Sequence, residues 1–307
     1  MKREFNVTIL GNGSAVPTAT QHPSSQIVLM DNEKLMIDCG EGAQMQMIRY
    51  NIKHRHLNRI FISHLHGDHY FGLFGLISTF HLFGRERPLE LFAPAELKAL
   101  LDHQLKVSNT QLRFPLIFHP LEDYQRTPLF TYNDFEARVF PLYHRMPAWG
   151  LRITYSEKEL KIDKKFISRY HPSVEQIHKI KKGSGFVSKT GEKLDNESIT
   201  LPPEPEKSYA YCSDTAYNEK LVEAVKGADL LYHEATFDLS MKEEAAGKFH
   251  STSVDAATIA LKAGVKKLLL GHYSARFEDL SELLEQAESV FPDTLLSEEG
   301  KIYQIDF

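Results

Sequence analysis

A group of three histidines and one aspartate lies within six positions of the chain: His64, His66, Asp68 and His69. Imidazole and carboxylate groups are the ligands that zinc, manganese and iron take in proteins. The group follows residues 60–62, an apolar stretch that is too short for a helix and typical of a buried strand. The pattern predicts a metal site at a strand end, with a helix over about residues 70–83 directly after it.

Other possible ligands also follow apolar runs that are typical of strands: His144, Asp214, His233 and His272. Because open α/β sheets build their sites where strand ends meet, we expect these side chains to share one edge. The set is larger than one tetrahedral ion can use. It fits two ions about 3.5–4 Å apart, bridged by a hydroxide and a carboxylate, for which Asp214 is the natural candidate.

The rest of the chain predicts a layered α/β fold with mixed sheets, because strand patterns alternate with helix patterns and with hairpins. Strands are predicted at 5–10, 24–30, 34–38, 60–62, 89–92, 116–121, 135–142, 149–155, 208–213, 230–232, 267–270 and 301–307. Helices are predicted at about 42–50, 70–83, 94–105, 219–226, 252–263 and 280–290, with Pro94 in the first position of the third. The glycine-rich turn at 11–17 lacks the Walker ending, so a structural role is favoured over a phosphate-binding one.

Composition restricts the class of protein. The formal charge of -5 over 307 residues excludes binding to nucleic acid through net charge, so a polyanionic substrate would need a local basic patch. Two cysteines, Cys39 and Cys212, provide no disulfide framework, which fits a reducing compartment. No apolar run approaches the length of a membrane span. We therefore expect a cytoplasmic protein without a membrane partner.

A charged segment at about 157–207 interrupts the pattern. It carries ten basic residues before its proline-rich end: Lys158, Lys161, Lys164, Lys165, Arg169, Lys179, Lys181, Lys182, Lys189 and Lys193. Nine acidic residues lie in the same segment. Charge alone therefore leaves two interpretations open, a solvated excursion and an inserted arm that faces nucleic acid.

The His64–His69 run resembles the His-x-His-x-Asp-His signature of the metallo-β-lactamase superfamily. Within that superfamily the chain resembles tRNase Z, the endonuclease family that trims the 3′ ends of precursor tRNA. The resemblance extends over nearly the whole chain and rests on further motifs at 11–17, 38–41, 213–215, 233–236, 250–252 and 272–276. The His-Glu-Ala-Thr and His-Ser-Thr motifs distinguish tRNase Z from other members.

This resemblance implies a four-layer αβ/βα sandwich, one domain over residues 1–307, with a protruding basic arm, or exosite, at about 157–207. It also implies two Zn²⁺ per subunit, with Mn²⁺ or another divalent ion as a possible substitute, and a homodimer that acts on precursor tRNA. The implied ligands of the first zinc are His64, His66 and His144. Those of the second are Asp68, His69 and His272, and Asp214 bridges the two ions.

The expected chemistry is phosphodiester hydrolysis by a hydroxide that bridges the two ions. Its products are a tRNA with a 3′-hydroxyl and a trailer with a 5′-phosphate. Asp68 lies close enough in sequence to orient or deprotonate the attacking water. The leaving oxygen needs a proton, which we expect His250 to donate, with Glu234 raising its pKa and fixing its tautomer.

Substrate contacts are predicted at Lys179, Lys181 and Lys182, which resemble the basic strand of the tRNase Z arm, and at Arg276. The remaining histidines, including His54 and His56, are expected to be surface or packing residues. The alternative function is a phosphodiesterase or arylsulfatase-like hydrolase of small esters within the same superfamily. The sequence leaves open how the protein responds to a CCA end already encoded in the precursor.

Overall fold

The structure is a computed structural model that describes residues 3–157, 159–203 and 205–305. Lys158 of the predicted arm and the last two residues of the predicted strand at 301–307 lie outside the described residues. The elements are, in chain order, β1 (Phe5–Gly11), β2 (Gly13–Ser14), β3 (Ser25–Met30), β4 (Glu33–Cys39), α1 (Ala43–Arg49), β5 (Leu57–Phe61), α2 (Gly67–Leu82), β6 (Leu89–Ala93), α3 (Leu97–Val107), β7 (Leu116–Pro120), β8 (Phe130–Tyr132), β9 (Phe135–Pro141), β10 (Trp149–Tyr155), β11 (Lys161–Ile162), α4 (Lys164–Tyr170), α5 (Val174–Lys181), β12 (Phe186–Val187), β13 (Lys193–Leu194), α6 (Asn196–Ile199), β14 (Thr200–Leu201), β15 (Lys207–Cys212), α7 (Lys220–Ala224), β16 (Leu230–Glu234), α8 (Lys242–Gly247), α9 (Ser253–Ala263), β17 (Leu268–Gly271), β18 (Tyr273–Ser274), α10 (Ser281–Glu288), β19 (Thr294–Leu296) and β20 (Ile302–Gln304).

Two seven-stranded sheets form the centre of the fold. Their strand orders are β20-β1-β3-β4-β5-β6-β7 and β19-β17-β16-β15-β10-β9-β8. Each sheet combines antiparallel hairpins with parallel strands, because short turns join β3 to β4 and β9 to β10 whereas helices join β5 to β6 and β16 to β17. The prediction of mixed sheets is confirmed.

The two sheets pack face to face on apolar side chains. Alternate residues of β1, namely Phe5, Val7 and Ile9, lie in one cluster with Leu151 and Tyr209 of the second sheet. A second cluster fills the space between the first sheet and helices α1–α3, and a third lies between the other sheet and helices α7, α9 and α10. The layers therefore run helix, sheet, sheet, helix, as the αβ/βα prediction requires.

A capping motif in the local sequence fixes the start of α9. Thr252 caps this helix through a reciprocal pair of hydrogen bonds with Asp255. The predicted start of α3 at Pro94 is wrong by three residues. The chain first makes a turn in which the Leu97 amide donates to the Pro94 carbonyl at 3.1 Å, and the helix begins at Leu97.

The segment between β10 and β15 has a small apolar cluster of its own, made by Phe166, Ile180, Phe186 and Ile199. Both ends of the segment meet, because Tyr155 of β10 lies opposite Lys207 of the adjacent antiparallel β15. The likeness of residues 179–183 to a basic strand is wrong, since 179–181 form the last turn of α5, whose first turn is fixed by a capping box at Ser173. The division into one domain with an inserted arm stays a prediction.

Within the described residues, no helix is both long enough and apolar enough to cross a membrane.

Candidate metal centre

Four strand ends converge at one edge of the two sheets. His64 follows β5, His144 follows β9, Asp214 follows β15 and His272 follows β17. Helix α2 begins at Gly67, so its first turn carries Asp68 and His69 to the same place. The seven predicted ligands therefore lie together, although they come from both sheets and span more than 200 positions of sequence.

The first cluster consists of His64, His66, His144 and Asp214, whose ligand atoms all lie within 4.8 Å of one another. Nδ1 of His66 lies 3.0 Å from Nε2 of His64 and 3.2 Å from Nε2 of His144. Oδ2 of Asp214 lies 3.6 Å and 4.0 Å from the same two Nε2 atoms. Four donor atoms that face one point in this way suit a tetrahedral cation.

The second cluster consists of Asp68, His69 and His272, again within 4.8 Å. Oδ2 of Asp68 lies 3.5 Å from Nε2 of His69 and 3.4 Å from Nε2 of His272. Oδ1 of Asp214 lies 3.3 Å and 3.1 Å from these two nitrogens. Asp214 thus directs one carboxylate oxygen at each cluster, which is the geometry of a bridging ligand.

The protonation states of Asp214, His64 and His66 also fit cation binding. Burial would raise the pKa of Asp214, but His272, His69 and His64 hold it well below its usual range, so the group is a carboxylate. Burial lowers the pKa of His64, and it lowers that of His66 to about 4. Both rings are therefore neutral at pH 7, which is the form that binds a metal ion.

Two buried ring nitrogens, Nε2 of His69 and Nε2 of His272, have no hydrogen-bond partner within residues 3–157, 159–203 and 205–305. The Nδ1 atom of each ring has a hydrogen-bond partner. Nδ1 of His69 lies 2.8 Å from Oδ2 of Asp38, and Nδ1 of His272 lies 2.8 Å from Oγ1 of Thr236. With its one proton on Nδ1, the neutral form of each ring presents a lone pair to the cluster. Burial lowers the pKa of His69 but the neighbouring carboxylates raise it well above its ordinary value, so a bound cation would displace the Nε2 proton of that ring. An unpartnered buried nitrogen is costly, and a cation would satisfy both.

Asp38 supports the site, a role that sequence analysis missed. This fully buried carboxylate accepts hydrogen bonds from the amide and hydroxyl of Ser63, from Tyr211 and from the His69 ring, at 2.7–2.8 Å. The Ser63 hydroxyl is in turn 3.1 Å from Nδ1 of His64. One carboxylate therefore orients a ring of each cluster. A signal was present, because Asp38 ends a predicted strand just as Asp214 does.

The glycine-rich turn contacts Asp68. The amide of Ala15, a residue with φ of 63°, donates to Oδ2 of Asp68 at 2.8 Å. A Cβ on Gly11 would lie 1.9 Å from the Pro23 carbonyl oxygen, so only glycine allows the two segments to approach this closely. The turn therefore has the structural role that the sequence favoured, and it also positions Asp68.

Glu234 and His250 form a buried pair beside the two clusters. Oε1 of Glu234 lies 2.8 Å from Nδ1 of His250, and the same carboxylate accepts from the Thr215 amide and the Thr236 hydroxyl. Burial lowers the pKa of His250, but Glu234 and the more distant Asp214 and Asp68 together raise it to about 9. Nε2 of His250 lies 3.9 Å from Oδ2 of Asp214 and is directed to the centre.

A cavity of about 350 Å³ opens on the clusters and is lined by Asp68, Asp214 and His250. Arg145, a second residue that sequence analysis missed, also lines it, and its Nε lies 3.1 Å from Nε2 of His66. Its position next to His144 in the sequence was the available signal. The cavity thus combines carboxylates, imidazoles and one guanidinium, a set that can hold cations and a phosphate group.

Other predicted residues lie elsewhere. His233 does not join the clusters, since its ring is buried in β16 and contacts the Glu234 carbonyl at 2.8 Å. The four predicted substrate contacts do not line the cavity, and three of them are in ion pairs: Lys179 with Glu175, Lys181 with Glu159, and Arg276 with Glu244. Arg276 lies over the ring of Phe237, which in turn is 6.1 Å from the His250 ring.

Comparisons with known proteins agree with this geometry. A family model described as Anti-Pycsar protein Apyc1 matches residues 5–291. Ribonuclease Z of Bacteroides fragilis is 43% identical over 97% of this chain and 98% of its own length. The crystal structure of human tRNase Z, short form, has a TM-score of 0.72 at 26% identity and covers 98% of this chain and all of its own.

The metallo-β-lactamase fold protein YhfI from Bacillus subtilis has a TM-score of 0.70 at 19% identity, over 99% of this chain and 100% of its own length, a likeness of fold alone. The chain thus has the metallo-β-lactamase fold, with two seven-stranded sheets, helices on their outer faces and the ligand clusters at their common edge. The chain belongs to the family of the Apyc1 model and, by its full-length identity to curated relatives, to the ribonuclease Z family.

Proposed function

We propose that this protein is a zinc-dependent endoribonuclease that removes the 3′ trailer from precursor tRNA. Membership of the ribonuclease Z family supports hydrolysis of RNA, and the human relative is named for tRNA. The observation that carries the proposal is the bridging position of Asp214 beside the Glu234–His250 pair. It combines a two-cation centre with a proton donor, which are the parts that phosphodiester hydrolysis needs.

In this proposal His64, His66 and His144 would hold one cation, Asp68, His69 and His272 would hold the second, and Asp214 would serve both clusters. When bound, two such cations act as Lewis acids on a phosphate oxygen and lower the pKa of water enough to give a nucleophile at neutral pH.

The side chains of this protein then perform the remaining tasks. Asp68, held by the Ala15 amide, orients the attacking water. Arg145 lies where its guanidinium can pair with a nonbridging oxygen of the scissile phosphate. His250 donates a proton to the leaving 3′-oxygen. Glu234 raises the pKa of His250 and so keeps its ring protonated. The products are a tRNA with a 3′-hydroxyl and a trailer with a 5′-phosphate.

The direct test is incubation of the zinc-loaded protein with precursor tRNAs, with and without an encoded CCA, followed by mapping of the 3′ ends. We expect cleavage at a single position after the acceptor stem of the precursor without CCA. Absence of cleavage in both substrates, with bis(p-nitrophenyl) phosphate still hydrolysed, would favour the small-ester alternative over the tRNA proposal.

The arm is proposed to bind tRNA, and its removal provides a second test. Because Tyr155 and Lys207 are paired neighbours, a short glycine-serine turn can replace residues 157–206 without stretching β10 or β15. The shortened protein should lose at least about tenfold in kcat/KM for precursor tRNA, mostly through KM, because phosphate contacts are removed. Hydrolysis of bis(p-nitrophenyl) phosphate should stay at the level of the full chain.

The matched control keeps the arm and changes only its lysine charges. A variant with Lys179, Lys181 and Lys182 replaced by glutamine should lose less than the deletion, since two of these lysines already neutralise acidic partners. Equal kcat/KM of the full-length and shortened proteins for precursor tRNA would remove the arm from the proposal.

Asp38 provides a test of the second cation site. In an Asp38→Asn variant the side chain can still accept from Ser63, but it no longer offers a charged acceptor to Nδ1 of His69. We expect the affinity for the second cation to fall about 10–100-fold, as supporting carboxylates do at other metal sites. Calorimetric zinc titration measures this change, and Tyr211→Phe, which removes one neutral donor to Asp38, serves as the control. Unchanged affinity in Asp38→Asn would contradict the supporting role.

A homodimer is also part of the proposal. Four large apolar side chains are exposed along α1 and α2: Met45, Ile48, Phe71 and Leu82. A dimer that covers this row would bury the most exposed apolar surface of the two helices. Light scattering should give twice the chain mass, and Ile48→Asp, at a side chain that is 73% exposed, should give one chain mass. A monomeric wild-type protein at micromolar concentration would exclude the dimer.

A further inference from the structure

A second cavity lies far from the metal centre, at the opposite edge of the first sheet. It has a volume of about 390 Å³ and is formed by the segments that precede β5 and β6. The ligands of the metal centre follow the carboxyl end of β5, whereas this cavity adjoins its amino end, so five strand residues, about 16 Å, separate the two. A ligand in the cavity would therefore leave the metal centre free.

The cavity is rich in positive charge. Arg55, Arg85 and Arg87 line it, and the Lys34 ammonium donates to the carbonyls of Lys53 and Arg55 at its margin. None of these four cationic groups is in an ion pair within the described parts of the chain. In a protein of net charge -5, such a concentration of unpaired positive charge marks a place for an anion.

The arginines have different roles. Arg85 donates to the Leu57 carbonyl at 2.9 Å, to the Asn58 side chain at 3.0 Å and to the Pro88 carbonyl at 2.7 Å, so its guanidinium is fixed in place. The guanidinium groups of Arg55 and Arg87 make no hydrogen bond to any described residue, which leaves their planar forks available to a phosphate group.

Repulsion between these charges adds to the effect of burial on two of the side chains. Burial, and then the charge of Lys53, lowers the pKa of Lys34. Burial, and then the charge of Arg87, lowers the pKa of Arg85 against the opposing effect of Glu33. An anion bound between them would relieve this repulsion. The one carboxylate that lines the cavity, that of Glu86, has no basic partner among the described residues and would oppose an anion.

An aromatic wall adjoins the charges. Phe83 is 69% exposed, and its ring centroid lies 5.5 Å from that of His54 at a tilt of 35°. Both rings line the cavity. Gly84, with φ of 70°, follows the end of α2 and turns the chain between Phe83 and Arg85. The turn places the aromatic ring and the guanidinium groups on the same cavity. Exposed rings next to arginines are the surface on which a nucleobase stacks.

We propose that this cavity binds a nucleotide, with the phosphate between Arg55 and Arg87 and the base against Phe83 and His54. The nucleotide is either a free mononucleotide or part of an RNA strand, since both offer the same phosphate and base. The proposal does not depend on the reaction at the metal centre. His54 and His56 then belong to a site, whereas sequence analysis assigned them to surface or packing.

The test is isothermal titration calorimetry on the zinc-loaded full chain at low salt. The probes are AMP, inorganic phosphate and a single-stranded 2′-O-methyl hexanucleotide. We expect an Arg55→Glu/Arg87→Glu variant to bind AMP or the hexanucleotide at least about tenfold more weakly, because two charge-assisted contacts become repulsive. Glu86→Gln should strengthen binding. The matched control, Lys106→Glu/Lys267→Glu, has the same change of charge at exposed positions outside the cavity and should bind like the wild type.

The base contact has its own measurement. Phe83→Ala should weaken AMP binding and leave inorganic phosphate unaffected. Binding of AMP identifies a free nucleotide as sufficient, and binding of the hexanucleotide alone identifies an RNA strand. The proposal is overturned if the wild type binds none of the three probes at millimolar concentration. It is also overturned if binding survives Arg55→Glu/Arg87→Glu and disappears in Asp214→Ala, because the probe then occupies the metal centre. Hydrolysis of bis(p-nitrophenyl) phosphate by all cavity variants reports separately on the proposed function.

Discussion

An Asp214→Ala variant is expected to retain no more than one bound cation per chain and to lose about 10²–10³-fold or more of its activity on precursor tRNA. Asp214 is 2% exposed. Among the described residues, it is the only one whose carboxylate directs one oxygen at each cluster. Without it, each cluster would keep three neutral or singly charged donors, and no carboxylate would face both clusters. The measurements are the zinc-to-protein ratio by mass spectrometry and single-turnover cleavage.

Asp102→Ala provides the control for this substitution. Asp102 lies on the exposed face of α3, where it pairs with Lys98, so its removal should change neither zinc content nor turnover. Folding is checked by melting temperature without zinc, and the zinc-dependent rise in melting temperature should be smaller in Asp214→Ala, because bound ligand stabilises the folded state. Two cations per chain with wild-type turnover in Asp214→Ala would contradict the bridging role.

The clustering of the candidate ligands could be predicted from sequence because these residues carry local signals. His64, His66 and Asp68 stand at a strand end and a helix start, and His144, Asp214 and His272 each follow an apolar run. Strands that run in the same direction place their carboxyl ends at one edge of a sheet, as β9, β15 and β17 do. The prediction failed for His233. A pattern of apolar runs does not show whether a residue near a strand end faces the metal site or the helices that cover the sheet.

The supporting contacts could not be predicted, because they join segments that are distant in sequence through unusual backbone. Asp38 and Ala15 both have positive φ, which a pattern of residue types does not indicate, and both contact residues of the 63–69 segment. In the arm, a count of lysines overstated the available charge. Lys179 and Lys181 already pair with glutamates, and the pairing of Lys179 with Glu175 depends on a helix where a strand was expected.

His250→Ala is expected to lower single-turnover cleavage of precursor tRNA about 10²–10⁴-fold, the range of a lost general acid, with two zinc ions still bound. The ring is 15% exposed and its Nδ1 is committed to Glu234, so Nε2 is the atom that can donate into the cavity. The leaving group decides between this role and a structural one. p-Nitrophenolate leaves without a proton, so hydrolysis of bis(p-nitrophenyl) phosphate should fall much less than tRNA cleavage.

Glu234→Gln tests the partner in the same reaction. Glu234 is the first of the groups that raise the pKa of His250 against the effect of burial, so replacing its charge lowers that pKa. Only the protonated ring can donate, and its fraction falls as pH rises through the pKa. The alkaline limb of the single-turnover pH profile should therefore move to lower pH in Glu234→Gln and be absent in His250→Ala. Equal losses on both substrates, or loss of zinc from His250→Ala, would instead make the pair a structural support of the metal centre.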